Sequence, residues 1–322
     1  MIPNRAKVAV LISGRGSNMA ALLYAAKAEN CPFEIILVAS NNPEAPGLTL
    51  AEAEGIATFA HPHKGMNRAE HDQIMHDAIK LAGAEYIALA GYMRILSDDF
   101  VNRWQDHMLN IHPSLLPKYK GLDTYQRALD AGDSHAGCSV HLVTATLDDG
   151  PILGQTKVAV QSDDTADILA DRVLIAEHQL YPATLAKYVT RKADPDWILD
   201  QLRTRVLALE ETHERESFGT PGWRVGSEKS AKYFAYFSYR HLGDTGTSVF
   251  VKTSGLDEQA ALLDADPGLY FAPKFYGKSG WIAIRMDTGR TDWDHISDWL
   301  RKSWRMVAPK RLTKMMDIAE EF

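Results

Sequence analysis

Short apolar runs alternating with segments of helical period constrain the first 190 residues more than any other feature of this chain. Lys7 to Ile12 is such a run; it breaks into Ser13-Gly14-Arg15-Gly16-Ser17-Asn18 and resumes as a helical stretch from Met19 to Ala28. Further apolar runs at Phe33–Ser40, Tyr86–Ala90, Met108–His112 and Cys138–Val143 alternate with helix-period segments near Arg68–Leu81, Leu122–Ala131 and Ala166–Leu180. A strand that is apolar throughout must be covered on both faces. The pattern therefore predicts an α/β fold, a doubly wound, mostly parallel sheet with ligands beyond the carboxyl ends of its strands.

Composition divides the chain. Residues 1–196 hold 17 Lys+Arg against 24 Asp+Glu and the remainder holds 18 against 18, so the net charge of −7 comes entirely from the first part. Six of the seven Trp lie in the second part. The composition changes where Ala193-Asp194-Pro195-Asp196 supplies a breaker, so the expected organisation is a domain over 1–192, a linker over 193–196 and a second domain over 197–322. In that second part, Asp196 is expected to cap a helix carrying Ile198, Leu202, Val206 and Leu209. Strands are expected around Tyr233–Tyr239, Ser248–Thr253 and Trp281–Met286, with a final helix from Trp293 to Met306, giving an α+β unit. No apolar run approaches the ~18 residues of a membrane helix. Met1 to Lys7 leads into a strand rather than a signal-peptide core, so a cytoplasmic address is expected. Cys31 and Cys138 are the only cysteines, too few for a disulfide framework or a thiolate zinc site.

The loop Gly14–Asn18 opens a helix, and its free amides with the helix dipole suit a phosphate. A dinucleotide fingerprint would place Gly where Met19 stands and an acidic residue where Ser40-Asn41-Asn42 stands, and a Walker loop lacks its Gly-Lys-Ser/Thr. The plainer alternative is a Gly-rich turn capped by Ser17 or Asn18. Asn110 and His112 lie two apart on an expected strand that Pro113 ends, so both side chains share a face. An Asn amide can donate to a developing oxyanion and a His can move a proton at the same centre. Asp148, in the turn Thr146-Leu147-Asp148-Asp149-Gly150-Pro151, could return to that strand end and favour the imidazolium. Two polar residues at a strand end remain the plainer reading of Asn110 and His112. The sequence lacks a Gly-x-Ser-x-Gly elbow, which leaves direct transfer ahead of a covalent acyl-enzyme. His61, His63, His71 and His76 cluster, but His71 and His76 are five apart, not the four of a helical zinc pair, so no metal is expected.

The segment Leu109-Asn110-Ile111-His112-Pro113-Ser114-Leu115-Leu116-Pro117 resembles the formyltransferases that use 10-formyltetrahydrofolate. Together with Ser13–Asn18, Leu89–Leu96 and Thr146–Pro151 it is similar, over residues 5–190, to the phosphoribosylglycinamide formyltransferases of purine biosynthesis. The resemblance implies transfer of a formyl group from 10-formyltetrahydrofolate to the amine of glycinamide ribonucleotide, with small molecules as partners. It implies Asn110, His112 and Asp148 as the catalytic trio, and Gly16, Ser17 and Asn18 at the substrate phosphate. Glu177 would stand near the attacking amine, and Arg68, Met93, Arg94, Ile95, Leu96, Asn110, Val143 and Thr144 at the folate. Asp123 stands where relatives usually carry His, and Ala145 where an acidic residue is common. Formyltetrahydrofolate deformylase, or another folate-dependent formyltransferase, is the alternative.

In the second part, Phe218–Trp223, Val249–Thr253, Tyr276–Trp281 and Trp304–Leu312 resemble the MmcQ/YjbR-like family over residues 197–315, which implies a CyaY-like α+β architecture. Arg301, Lys302, Arg305, Lys310, Arg311 and Lys314, interleaved with Trp299 and Trp304, are where a nucleic acid would bind. The even charge balance favours instead a solvated helix face over an aromatic core.

Overall fold

The computed structural model describes residues 5–217, 219–240, 246–287, 289 and 291–320. They form two compact units, Met1–Val189 and Thr190–Phe322. Phe218, at the head of one motif noted above, lies outside the described residues.

The first unit runs β1 (Ala6–Ile12), α1 (Ser17–Ala26), β2 (Phe33–Ser40), α2 (Pro46–Ala53), β3 (Ala57–Ala60), α3 (Arg68–Leu81), β4 (Tyr86–Leu89), α4 (Asp98–Arg103), β5 (Met108–His112), α5 (Thr124–Asp130), β6 (His135–Leu142), β7 (Ile152–Ala159) and α6 (Ala166–Thr190). The sheet order is β3-β2-β1-β4-β5-β6-β7. The first five strands are parallel, whereas β6 runs antiparallel to both β5 and β7. Strand β1 shows why the apolar runs are continuous. Val8, Val10 and Ile12 pack with Met19 and Leu22 of α1 and Val173 of α6, while Ala9 and Leu11 pack on the other face with Met75 and Ile79 of α3. Both faces are dry, so neither set of alternating positions is polar. β2 and β4 flank β1, so the chain leaves β1 in opposite directions there and opens a crevice at the carboxyl ends.

Several local details depart from expectation. Pro43-Glu44-Ala45-Pro46-Gly47, whose two prolines and glycine read in the sequence as a loop, is not wholly loop, because Pro46 opens α2 as its first helical residue, the position at which proline's missing N–H costs nothing. The short elements β3, α4 and β7 carry too few residues, or too much exposure, to show a period.

The second unit runs α7 (Pro195–Val206), β8 (Thr212–Ser217), β9 (Thr220–Val225), β10 (Lys232–Tyr239), β11 (Thr247–Lys252), α8 (Leu256–Ala265), β12 (Tyr270–Phe271), β13 (Trp281–Arg285), α9 (Trp293–Val307) and α10 (Lys310–Glu320). Its antiparallel sheet has the order β12-β13-β11-β10-β9-β8. Ile198, Leu202 and Val206 of α7, with Leu300 and Trp304 of α9, bury against Phe234, Val249, Val251, Ile282 and Ile284. Asp194, not Asp196, caps α7: its Oδ1 accepts from the N–H groups of Asp196 and Trp197, both at 3.0 Å. The segment read as a linker is therefore structured, with Arg191–Ala193 in a single 3₁₀ turn. α9 is not the last helix, since Pro309 ends it and α10 follows. Arg301, Lys302, Arg305 and Arg311 pair with Asp298, Glu258, Asp317 and Glu211, while Trp299 and Trp304 are buried.

The turn joining β6 to β7 is fixed by close backbone approach. Leu142 N–H donates to Pro151 O at 2.9 Å, and a Cβ added at Gly150 would lie 1.8 Å from Leu142 O. A Gly150→Ala protein should lose ~2 kcal/mol or more, seen as a melting midpoint lowered by about 4 °C or more. Gly14→Ala, where nothing lies within 4 Å of the new Cβ and φ is likewise outside the left-handed region, is the stability control.

Candidate active site

The segments that leave the carboxyl ends of β1, β2 and β4 meet. Ser13, directly after β1, donates N–H to Gly91 O at 3.1 Å; its Oγ accepts from Met93 N–H at 2.8 Å and donates to Asn41 Oδ1 at 2.6 Å. One hydroxyl thus ties the Gly14–Asn18 loop to the Tyr92–Leu96 segment. Gly16, at φ 74°, caps α1, and α2 packs on it: Gly47 N–H donates to Gly14 O at 3.1 Å, and a Cβ at Gly47 would lie 2.5 Å from Ile12 Cδ1. Neither Ser17 nor Asn18 is the cap. Ser17 is exposed at the open end of α1, and Asn18, buried, donates Nδ2–H to Glu177 Oε2 at 2.6 Å. Burial raises the Glu177 pKa, and the Asn18 hydrogen bond opposes the rise by favouring the carboxylate. One turn further along α6, Tyr181 OH donates to Leu89 O (3.1 Å) and Leu109 O (3.0 Å), locking that helix to β4 and β5 beside Asn110.

β5 carries Asn110 and His112 on one face, and its antiparallel register sets His141 opposite Asn110 and Ser139 opposite His112. Asp148 returns from the following turn: its Oδ2 lies 3.4 Å from His112 Nδ1 and accepts from Gly121 N–H at 2.9 Å, and its Oδ1 lies 3.6 Å from His141 Nε2. The three residues expected as a trio are brought together. His141 joins them, and its signal in the sequence was a polar residue inside the otherwise apolar run Cys138–Val143.

Hydrogen bonding fixes the orientation of each group. His112 Nε2 lies 3.0 Å from Tyr119 O, an oxygen that can only accept, so Nε2 carries a proton and Nδ1 faces Asp148. His141 Nδ1 donates to Leu142 O at 2.8 Å, which leaves Nε2 to accept from Asn110 Nδ2–H at 3.2 Å. Among the described residues the second N–H of Asn110 then has no acceptor. Ser139 Oγ donates to Ser114 O at 2.6 Å and accepts from Leu116 N–H at 3.1 Å, holding the 113–117 turn that follows His112. Asp148 (φ 49°), Tyr119 (φ 56°) and Asp123 (φ 57°) are non-glycine residues in the left-handed region, and all three lie in the two loops around His112.

Burial lowers the His112 pKa, outweighing the Tyr119 carbonyl and the Asp148 carboxylate, which both favour the imidazolium. Asp148 was expected to keep His112 charged; in the free protein the lost hydration wins, because the ring is only 5% exposed. Burial also pushes the Asp148 pKa up, but His141 and His112 in their protonated forms, with the Gly121 N–H, hold it below its ordinary value. Cys138 is buried, and burial with the nearby Glu177 charge pushes its thiol up to about 12, so it offers no thiolate nucleophile at neutral pH.

The residues expected at the folate fall into two groups. Met93 (69% exposed), Ile95 (57% exposed) and Thr144 face outward, whereas Leu96 is buried and Val143 packs partly into the core around Phe100. Arg68 stands exposed at the start of α3, and Arg94 is half-buried beside it, its Nη2 3.4 Å from Asn67 O. Asp123 and Ala145 are exposed, in the loops that carry Gly121 and Asp148 respectively. Of the four clustered histidines, His71 donates Nε2–H to His61 O at 3.0 Å, His63 bonds Asn41 and His76 accepts from the Trp104 indole. Among the described residues no group of three or more His, Cys, Asp or Glu is placed to hold a metal ion, and no helix is long and apolar enough to cross a membrane.

Comparison with known proteins places the chain in a family. The formyl transferase family profile matches residues 6–185, and the YjbR profile matches residues 207–306. The phosphoribosylglycinamide formyltransferase of Escherichia coli is 42% identical over 180 residues, which are 56% of this chain and 85% of that protein. The trifunctional purine biosynthetic protein adenosine-3 of Bos taurus is 43% identical over 184 residues; the match covers 57% of this chain but only 18% of that longer protein. The crystal structure of phosphoribosylglycinamide formyltransferase from Brucella melitensis superposes with a TM-score of 0.56 at 50% identity, covering 57% of this chain and 96% of that one. The match spans more than half the chain and takes in the strand ends that carry Asn110, His112 and Asp148: this protein belongs to the formyl transferase family, with a YjbR domain following the formyl transferase domain.

Proposed function

We propose that this protein transfers the formyl group of 10-formyltetrahydrofolate to the amine of glycinamide ribonucleotide, by direct attack at a site formed by Asn110, His112 and Asp148. The observation that carries the reading is His112 held between Tyr119 O and Asp148 Oδ2, beside an Asn110 amide with a free N–H. The Gly16–Asn18 amides at the start of α1 would take the ribonucleotide phosphate. Glu177, fixed by Asn18, would receive the amine end of the substrate. The exposed faces of Met93 and Ile95, with Arg68, Val143 and Thr144 around them, would carry the folate.

The chemistry follows from the protonation states. The amine nitrogen attacks the formyl carbon, and the carbonyl oxygen takes up negative charge, which the Asn110 N–H stabilises. The nitrogen becomes an ammonium and must lose a proton. His112 Nδ1, unprotonated in the free protein, accepts it, and the imidazolium that forms is stabilised by Asp148 at Nδ1–H and Tyr119 O at Nε2–H, which leaves the oxyanion to the Asn110 N–H. As the tetrahedral intermediate collapses, His112 passes that proton to the departing folate nitrogen and returns to its starting state. Asp148 acts by stabilising a charge that exists only during turnover, so its contribution is to the rate rather than to binding.

His112→Ala and Asp148→Asn should each lower kcat by about 10²-fold or more with the fold retained. Formyl transfer measured with and without glycinamide ribonucleotide checks this, and formate release that ignores the acceptor would mark a deformylase instead. Glu177→Gln should raise KM for glycinamide ribonucleotide by about tenfold and leave KM for the folate alone. In the free protein, NMR of labelled histidine should find His112 titrating below its ordinary value. Asp148→Asn should move it lower still, since removing the carboxylate removes an interaction that favours the cation. A His112 pKa above the ordinary range would overturn the neutral resting state.

A further inference from the structure

The 92–97 segment lies between β4 and α4, and the burial of its residues alternates. Met93 and Ile95 point outward, whereas Tyr92, Arg94 and Leu96 are half-buried or buried. The inward side meets polar groups that the trio and the phosphate loop do not use. His71 and Asp72, near the start of α3, are 0% and 1% exposed. Asp72 Oδ2 accepts from Ser97 N–H at 2.6 Å, and Ser97 Oγ in turn caps α4. Because His71 donates Nε2–H to His61 O, its Nδ1 is left as an acceptor, 3.7 Å from Asp72 Oδ1. Four buried atoms in this knot, His71 Nδ1, Asp72 Oδ1, Tyr92 Oη and Arg94 Nε, have no hydrogen-bond partner among the described residues. Two accept, Arg94 Nε–H donates and the Tyr92 hydroxyl can do either. They are close enough that Asp72 and Arg94 both act on the Tyr92 hydroxyl, and both act on His71. Buried polar groups are costly to leave unpaired, so a complementary set beneath a binding segment has a position in which it pairs.

We propose that His71 and Asp72 are positioning residues for the formyl donor: they draw Tyr92 and Arg94 inward and so set the height of Met93 and Ile95, the face against which the folate lies. The proposal rests on the formyltransferase reading of the site and adds to it residues that touch neither substrate. Their loss should be felt first at the folate, because the segment's tie to the phosphate loop is the backbone N–H of Met93 on Ser13 Oγ, which these substitutions leave in place, and Glu177 is held by Asn18.

The test is steady-state kinetics of the full chain with Tyr92→Phe, Asp72→Asn, His71→Gln and the double variant Asp72→Asn/Tyr92→Phe. Each single change should raise KM for 10-formyltetrahydrofolate by about fivefold or more, with kcat and KM for glycinamide ribonucleotide within about twofold. The double variant should fall short of the product of the singles, as members of one network do. Equal rises in both KM values, a loss confined to kcat, or a fully multiplicative double variant would overturn the proposal. If Asp72→Asn does not fold, His71→Gln with Tyr92→Phe completes the cycle. If the wild type transfers no formyl group, the function itself has failed. Calorimetric dissociation constants for 10-formyltetrahydrofolate, showing the same fold-changes or none, then decide the positioning role separately.

Discussion

The antiparallel return of β6 along β5 is the constraint on which the site depends. In a purely parallel sheet the chain would leave β5 through a helical crossover and come back at the far end. Here it doubles back after α5, so that His141 lies across from Asn110 and the turn after β6 delivers Asp148 to the end of β5. Three chemically active groups from residues 110 to 148 are thereby set on one edge without a long flexible loop. The backbone contact between Gly150 and Leu142 keeps the turn there, and the left-handed conformations of Tyr119 and Asp148 place a carbonyl and a carboxylate on the two nitrogens of one ring.

That ring shows how burial and charge divide the work. Dehydration favours neutral His112, and the two acceptors around it favour the cation. A buried base that starts neutral can take a proton, and a carboxylate beside it makes the resulting charge tolerable. Asn18 and Glu177 repeat the arrangement at the other end of the crevice: a buried carboxyl whose burial raises its pKa is held toward the carboxylate by one amide. The formyl transferase domain thus holds two buried titratable groups whose burial is opposed by hydrogen-bond partners.

Much of this was legible in the sequence. The continuous apolar runs of β1, β2, β4, β5 and β6 announced a sheet covered on both faces, and the two-residue spacing of Asn110 and His112 ahead of Pro113 put both on one face of a strand end. Elements without a period were not legible: α2 begins on a proline inside an apparent turn, and β3 is four residues long. His141 was missed because its role comes from the residue across the strand pair, and the His71–Asp72 knot because its members lie 20 and more residues apart in the chain.

Local chemistry, then, was determined by the sequence alone: which segments extend or coil, where they break, and which donors and acids stand at strand ends, since these depend on neighbours within a few residues. The tertiary structure decided the ionisation of His112, the free N–H of Asn110 and the pairing of the basic stretch on α9 and α10 with acidic partners. Those depend on burial and on groups brought from elsewhere in the chain, and a dielectric environment exists only once the chain has closed around it.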